Sequence, residues 1–600
     1  MTRTREPSLA AGLLRYVPAV VVVVALVVAG ALTGTDGSGD GGAPHGSDTR
    51  PTHLPLTFAE AQAQGVDVDW GPTCDVERGT VAVPLWYAPP CVEPPRSADN
   101  GGATANGVSA DEIVVAVYQA QPDLLEQTFL ERSGSDETLD SELATIQQYV
   151  DFFQAHYETY GRRVRLVPIR ASGPPDDDVT AKADAIRVAT EIKAFASFGG
   201  PSQTTSYADE LAARKVLCIG DCTTAAPQSF LESRAPYIWP SLPSPDQAAE
   251  HWSAFVGKEL AGRRARFAGD PELRREQRRF GVVRYDDEPG TFDQSFARFT
   301  DLLDEQGVDL ATQVPYQLDL ESAGEAARSS IAALREAGVT SVIIAGDPVF
   351  PTFLTREATA QGYFPEWVVM GYAYTDTAVF GRQYDQEQWR NAIGVTLLPT
   401  RQADDVDELA SILVWQSGRP PIAKTFRLLV QAPLLFFTGV HLAGPALGPE
   451  TFRAGLSRFP AGRPTSAPFL HLSWGRHDIW PRVDLTGGDD AAVIWWDPLA
   501  TGPDEVGNDG TGLWRYAREG ARYLPDGWPD GNVGLHDDAT SVTVLEQLPA
   551  DARPPDYPSP GRARSGGRYV RPPLRGRSAA PAPGRARSGG RYVRPPLRGR

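Results

Sequence analysis

The sequence predicts an α/β protein built from two similar modules of parallel sheet, and three observations carry that expectation. Short apolar runs alternate with stretches of helical length and periodicity, the rhythm of strand–helix–strand units. The rhythm stops at Trp239-Pro240-Ser241-Leu242-Pro243-Ser244-Pro245, whose three prolines suit neither a helix interior nor a central strand, and then restarts. Both ends of the chain differ in composition from this middle, so the folded body lies between them.

In the first module Ile113 to Tyr118 is a strand, uniformly apolar as a parallel strand covered on both faces must be. Ser141 to Tyr160 is a helix with Leu143, Ile146, Tyr149, Val150, Phe153 and Tyr157 on one face. Val164 to Ile169 (strand), Thr180 to Lys193 (helix), Phe195 to Phe198 (strand), Ser206 to Arg214 (helix) and Val216 to Ile219 (strand) follow. The second module reads Phe280 to Tyr285 (strand), Phe292 to Gln306 (helix), Ala311 to Tyr316 (strand), Ser322 to Ala337 (helix), then strands Ser341 to Ala345 and Trp367 to Met370. Asp404 to Phe459 is mostly helical, broken at Gly444-Pro445. Two modules joined by a Pro-rich crossover imply a cleft at the strand carboxyl ends, where such sheets bind ligands. Chain crossings are expected near Trp239 to Pro245, Tyr372 to Ala378 and Gly394 to Thr400.

Outside the body, residues 1–35 read as a signal peptide or signal anchor: Arg3, Arg5 and Arg15 precede an apolar run from Tyr16 to Leu32, and Ala29-Gly30-Ala31 offers a cleavage site. Residues 36–106 read as a Gly/Ser/Pro-rich linker with a disulfide loop, 107–466 as the two-lobed body and 467–548 as a Trp/Gly-rich C-terminal extension packing on it. Residues 549–600 form a Pro/Gly/Arg tail in which Pro560 to Arg577 recurs as Pro583 to Arg600; it lacks the apolar surface to offset its chain entropy, so disorder is expected. An exported chain makes disulfides the default for its cysteines, pairing Cys74 with Cys91 and Cys218 with Cys222.

The net charge is −19; the last forty residues hold twelve arginines and no acid, and removing them leaves −31 on residues 1–560. So acidic a body is a poor partner for nucleic acid or for anionic lipid. The motifs of serine hydrolases, phosphate-binding loops, zinc proteases and dinucleotide-binding turns are missing, so no catalytic residue is assigned. His471 and His477 with Asp478 lack metal-site spacing, and Asp504 to Gly510 lacks the ladder of a calcium loop, so neither a metal nor a cofactor is expected.

The positive signal lies in turns after strands: Gly199 to Thr205, Asp221 to Thr224, Tyr285 to Gly290, Gly346-Asp347-Pro348 and Gly371 to Asp376. Free backbone N–H groups and hydroxyls in the first of these suit a carboxylate or another anion. With the entry Gly107 to Ile113, the strand-turn Phe198-Gly199-Gly200-Pro201-Ser202, Ala208 to Ile219, Gly281 to Asp287 and Gly444 to Phe452, the chain resembles substrate-binding proteins of ABC transporters of the branched-chain amino acid (leucine/isoleucine/valine) type, with a type I periplasmic binding fold, over residues 107–460.

The resemblance implies an extracytoplasmic monomer that closes two lobes on a small polar ligand, an amino acid, peptide-like molecule or other carboxylate, and presents it to a membrane permease. Carried over by position, the Ser202 turn with Gln203, and Thr223 and Thr224, would hold a ligand carboxylate, Tyr285 would cover it, Asp347 or Asp376 would meet an ammonium, and Tyr372 is a further ligand-binding residue. Gln119 opens the turn where the family usually has Thr-Gly, a departure bearing on an α-amino acid ligand. A membrane-anchored sensor without a permease and a two-lobed enzyme such as a glycosyltransferase are the competing functions.

Overall fold

The computed structural model describes residues 54–95, 97, 99–122, 137–201, 203–220, 222–223, 226–286, 291–371, 373–462 and 469–560. The expected signal segment and the Arg-rich repeat from residue 561 onward lie outside them, as do Ser202, Thr224 and Tyr372.

Before the first sheet, helix α1 (Phe58–Gln64) and the hairpin β1 (Cys74–Asp75) and β2 (Thr80–Val81) form a small layer. Lobe 1 is a five-stranded parallel sheet of β3 (Glu112–Gln119), β4 (Arg163–Arg170), β5 (Ala196–Phe198), β6 (Leu217–Ile219) and β7 (Ile238–Trp239), in the spatial order β4-β3-β5-β6-β7. Helices α2 (Leu139–His156), α3 (Asp178–Arg187, running on through Ile192), α4 (Ser206–Ala213) and α5 (Gln228–Ser233) connect these strands. The chain reverses direction across the sheet between β3 and β5, a topological switch point.

After the crossover, α6 (Pro245–Ala254) opens lobe 2. Its sheet holds β8 (Phe280–Tyr285), β9 (Leu310–Tyr316), β10 (Ser341–Ala345), β11 (Glu366–Val369) and β12 (Ala392–Thr396), parallel and ordered β9-β8-β10-β11-β12, the topology of lobe 1 again. Between them run α7 (Thr291–Glu305), α8 (Ala323–Glu336), α9 (Phe350–Ala360) and the short turns α10 (Ala378–Gly381) and α11 (Gln386–Trp389). The strands are apolar at successive positions because both faces are covered: Val283, Ile344 and Val369 join one core, Val282, Ile343 and Val368 the other.

From β12 the chain returns to lobe 1 as α12 (Glu408–Ser417), α13 (Phe426–Leu429), α14 (Gln431–Ala443) and α15 (Pro449–Leu456). Phe436 and Phe437 of α14 are fully buried there against Phe195, Phe198 and Phe153. The C-terminal extension joins lobe 2: β13 (Ala491–Pro503) pairs antiparallel with β12, β14 (Asp509–Tyr516) with β13, and β15 (Arg522–Tyr523) with β13. Asp504 closes the β13–β14 turn by accepting the N–H groups of Val506 and Asn508, as expected for a turn.

Several expectations shift. Residues 54–106 are no linker: Val81, Val83, Leu85 and Val92 are buried in the lobe 1 core, an apolar payload that proline-rich composition had masked. The packed chain runs on to residue 560, beyond the expected start of the tail at 549: Ala552 is buried and the Tyr557 hydroxyl donates to Asp75 at 2.6 Å. Residues 373–378 are not a crossing, since β11 and β12 on either side are adjacent strands of lobe 2. The chain instead crosses at residues 239–245, 397–407 and 474–490. The first and third run side by side: a Cβ on Gly487 would stand 3.0 Å from the Ser241 carbonyl, one on Gly488 3.2 Å from Pro243. Both expected disulfides form, with Cα separations of 5.7 Å for Cys74–Cys91 and 6.0 Å for Cys218–Cys222.

Candidate functional site

Strand β7 runs into the first connector at its carboxyl end, and β12 into the second. All strands of each five-stranded set are parallel, so both sets end in turns on the connector side, where α/β sheets bind ligands.

On lobe 1, Gln119 ends β3 and is buried; its side-chain amide donates to the Leu139 carbonyl at 3.2 Å, holding the strand end to the start of α2. After β5, Gly199 takes a left-handed φ of +70°, and a Cβ on Gly200 would stand 2.8 Å from the Tyr207 ring, so the turn needs glycine at both positions. Gln203 is exposed, and its N–H donates to the Pro175 carbonyl. Thr204 and Ser206 both donate to Asp178, whose carboxyl those hydroxyls hold below its usual range. After β6, the Cys218–Cys222 disulfide ties the strand to its own turn, and buried Thr223 follows directly.

On lobe 2, Tyr285 ends β8 half-buried, its ring 5.8 Å from Tyr316, which ends β9. Tyr316 stacks on Phe350 at 3.9 Å and donates to Asp347 at 2.5 Å. A Cβ on Gly346 would collide with the Tyr316 hydroxyl at 2.2 Å, so glycine lets the three groups meet. Asp347 also accepts the N–H groups of Val349 and Phe350 at 2.7 and 2.9 Å, capping α9. Both of its oxygens are engaged by the fold, Oδ1 at the start of α9 and Oδ2 with Tyr316.

Asp376 differs. It is buried, Thr396 at the end of β12 donates to it, and burial pushes its carboxyl up to about 6 against that hydrogen bond. Tyr384, donating to the Pro348 carbonyl at 2.6 Å, is raised by burial and by the charges of both Asp347 and Asp376. Tyr316 and Thr396 went unread in the sequence, although each ends a strand and the rule that found Tyr285 covers them. Tyr384, in the stretch between β11 and β12, gave no such signal.

The two halves contrast: lobe 1 offers an amide, a hydroxyl and glycine backbone, lobe 2 an aromatic wall and a buried acid. His471 and His477 are hydrogen-bonded to separate partners, Asp489 with the Gly462 carbonyl and the Trp474 carbonyl. Among the described residues no cluster of three His, Cys, Asp or Glu side chains could hold a metal ion.

Residues 130–409 match the sequence model of the periplasmic binding protein family. This segment has a two-lobed fold like that of type I periplasmic binding proteins. Comparison with curated proteins found no match. Similar solved structures include a solute-binding protein of an ABC transporter from Rhodopseudomonas palustris BisB5 in complex with 3,4-dihydroxybenzoic acid (11% identity, TM-score 0.45, covering 67% of this chain and 97% of that one). A possible leucine/isoleucine/valine-binding protein from Rhodopirellula baltica SH 1 has 13% identity and TM-score 0.44, covering 64% and 94%. A branched-chain amino acid ABC transporter ligand-binding protein from Burkholderia xenovorans LB400 has 12% identity and TM-score 0.46, covering 67% and 95%. The periplasmic binding domain thus rests on the family match and on the repeated strand order of its two lobes.

Proposed function

We propose that the protein is an extracytoplasmic solute-binding protein that closes two lobes on a small polar, carboxylate-bearing molecule and delivers it to an ABC permease. The observation that carries this reading is the duplicated parallel sheet, with both sets of strand carboxyl ends bordering the connectors. The ligand carboxylate would meet the Gly199–Ser202 turn and the hydroxyls of Thr223 and Thr224, the Gln119 amide would contribute from β3, and Tyr285 and Tyr372 would cover the ligand. Asp376 would take a donor group of the ligand. Two disulfides support a location outside the reducing cytoplasm. The match to the periplasmic binding protein family supports binding over catalysis.

The test is a thermal-shift screen of the full chain against amino acids and small aliphatic and aromatic acids, followed by calorimetry of the best solute. Thr223→Val and Tyr285→Ala should each weaken binding by about 1 to 3 kcal/mol, roughly five- to 150-fold in Kd. Unchanged affinity in both variants would remove the site.

A further inference from the structure

The segment joining α6 to β8, residues 261–279, carries seven arginines against three acids on a chain of net charge −19. It lies at the amino ends of the lobe 2 strands, opposite the turns described above. Arg278 is spent: it grips Glu366 at 2.7 and 2.9 Å, both side chains buried, and Phe267 N–H donates to the same carboxylate at 3.0 Å. Arg274 and Arg279 donate to the carbonyls of Ala268 and Ala337. This frame leaves Arg263, Arg264 and Arg266 exposed around a cavity of about 390 Å³.

The cavity has a built shape. The Arg266 guanidinium lies over the Phe267 ring at 4.5 Å; Phe267 stacks on His536 at 4.7 Å, and His536 lies tilted against Trp495 at 4.6 Å. Burial and the Arg266 charge hold the His536 imidazole down to about 4, so it is neutral and acts as a spacer. A Cβ on Gly531 would stand 2.6 Å from the Arg263 guanidinium, so bare backbone seats that arginine, which donates to the Lys258 carbonyl at 2.6 Å. Val533 and Leu535 supply an apolar wall, and Glu259 is its one carboxylate. Among the described residues, neither Arg264 nor Arg266 makes an ion pair, so two guanidinium forks stand uncompensated beside an aromatic and apolar surface.

We propose that this cavity is a second binding site, independent of the cleft between the lobes, that takes a phosphate monoester. Two free forks, with the Arg263 charge offset in sum by the one wall carboxylate of Glu259, fit a group carrying close to two negative charges, and guanidinium geometry matches phosphate oxygens bidentately. The rest of the ligand lies against Phe267 and Leu535. The same group occurs on soluble esters and on a lipid headgroup, and the cavity chemistry serves both.

The experiment is calorimetry on the full chain in uncharged detergent with phenyl phosphate, inorganic phosphate and benzoate, alongside flotation with phosphatidylcholine vesicles with and without phosphatidic acid. Saturable binding of phenyl phosphate at least tenfold tighter than benzoate is expected, lost by more than tenfold in Arg264→Ala/Arg266→Ala and partly restored in Arg264→Lys/Arg266→Lys. Unaltered melting of these exposed variants excludes misfolding as the cause. Phenyl phosphate binding without flotation assigns a soluble ester, and flotation that needs phosphatidic acid and both arginines assigns the lipid. No saturable binding in either arm, equal affinity for benzoate, or full affinity in the alanine pair overturns the proposal.

Discussion

Asp376 is a carboxyl group that the fold has taken out of water and given a hydroxyl donor, Thr396. Its carboxyl stands at about 6 in the folded chain against 3.8 for the free group, so the folded state holds the proton more tightly. Its stabilising contribution is therefore complete below about pH 4 and is lost as pH rises to about 6, a change of up to roughly 3 kcal/mol. Asp376→Asn keeps an acceptor for Thr396 and cannot ionise. Denaturant unfolding should show it gaining on the wild type between about pH 4 and about pH 6, and more stable at neutral pH; a constant difference across that window would contradict the assignment. This scale is where the sequence was least legible. Asp347 and Asp376 both follow strands in polar turns, and nothing in either tripeptide tells the cap of α9 from the carboxyl facing Thr396. Gln203 looked like Thr223 for the same reason: a turn sequence names a cluster of polar groups but not which of them points outward.

Elements were more legible wherever periodicity met a partner on both sides. The strands of the two parallel sets announce themselves because helices cover both faces, which forces near-continuous apolar runs. Helix α6 was hidden by Pro245, read as a breaker although it sits in the first turn behind a Ser244/Gln247 capping box, where a missing N–H costs nothing. Strand β13 lies in the extension that composition marks only as Trp/Gly-rich; its Trp and Asp residues look irregular until paired with β12 on one side and β14 on the other. Phe426–Ala443 has a mean hydropathy of 1.4 over 18 residues, enough by composition to cross a membrane, yet most of it is buried inside lobe 1. Phe436 stands at its centre, 5.4 Å from the Phe198 ring. Phe436→Ala should cost about 3 to 5 kcal/mol through the cavity it leaves; a loss under 1 kcal/mol in denaturant unfolding would show that α14 does not support the lobe 1 sheet.

At the scale of the whole molecule, the connectors form one bundle. Gln247 donates to Asp484 at 3.0 Å, tying α6 to the third connector, and Arg522 bridges Asp490 at 2.8 Å and the Leu398 carbonyl of the second at 2.8 Å. The C-terminal segment adds a fourth strand of chain: Leu545 pairs with residues 401–403 at 2.8 and 3.0 Å before residues 548–560 pack on lobe 1 beside Trp86, Phe469 and Trp415. Four ties side by side would permit bending about the bundle and resist twisting, and closure over the strand carboxyl ends is the motion that the proposed function requires. A solute that touches both lobes shifts the balance of open and closed forms by its differential affinity for them. Small-angle X-ray scattering of the full chain with the solute selected by the thermal screen measures this directly. The account predicts a radius of gyration that falls as solute is added and saturates at the concentration where thermal stabilisation saturates. Saturated binding with unchanged scattering would contradict it.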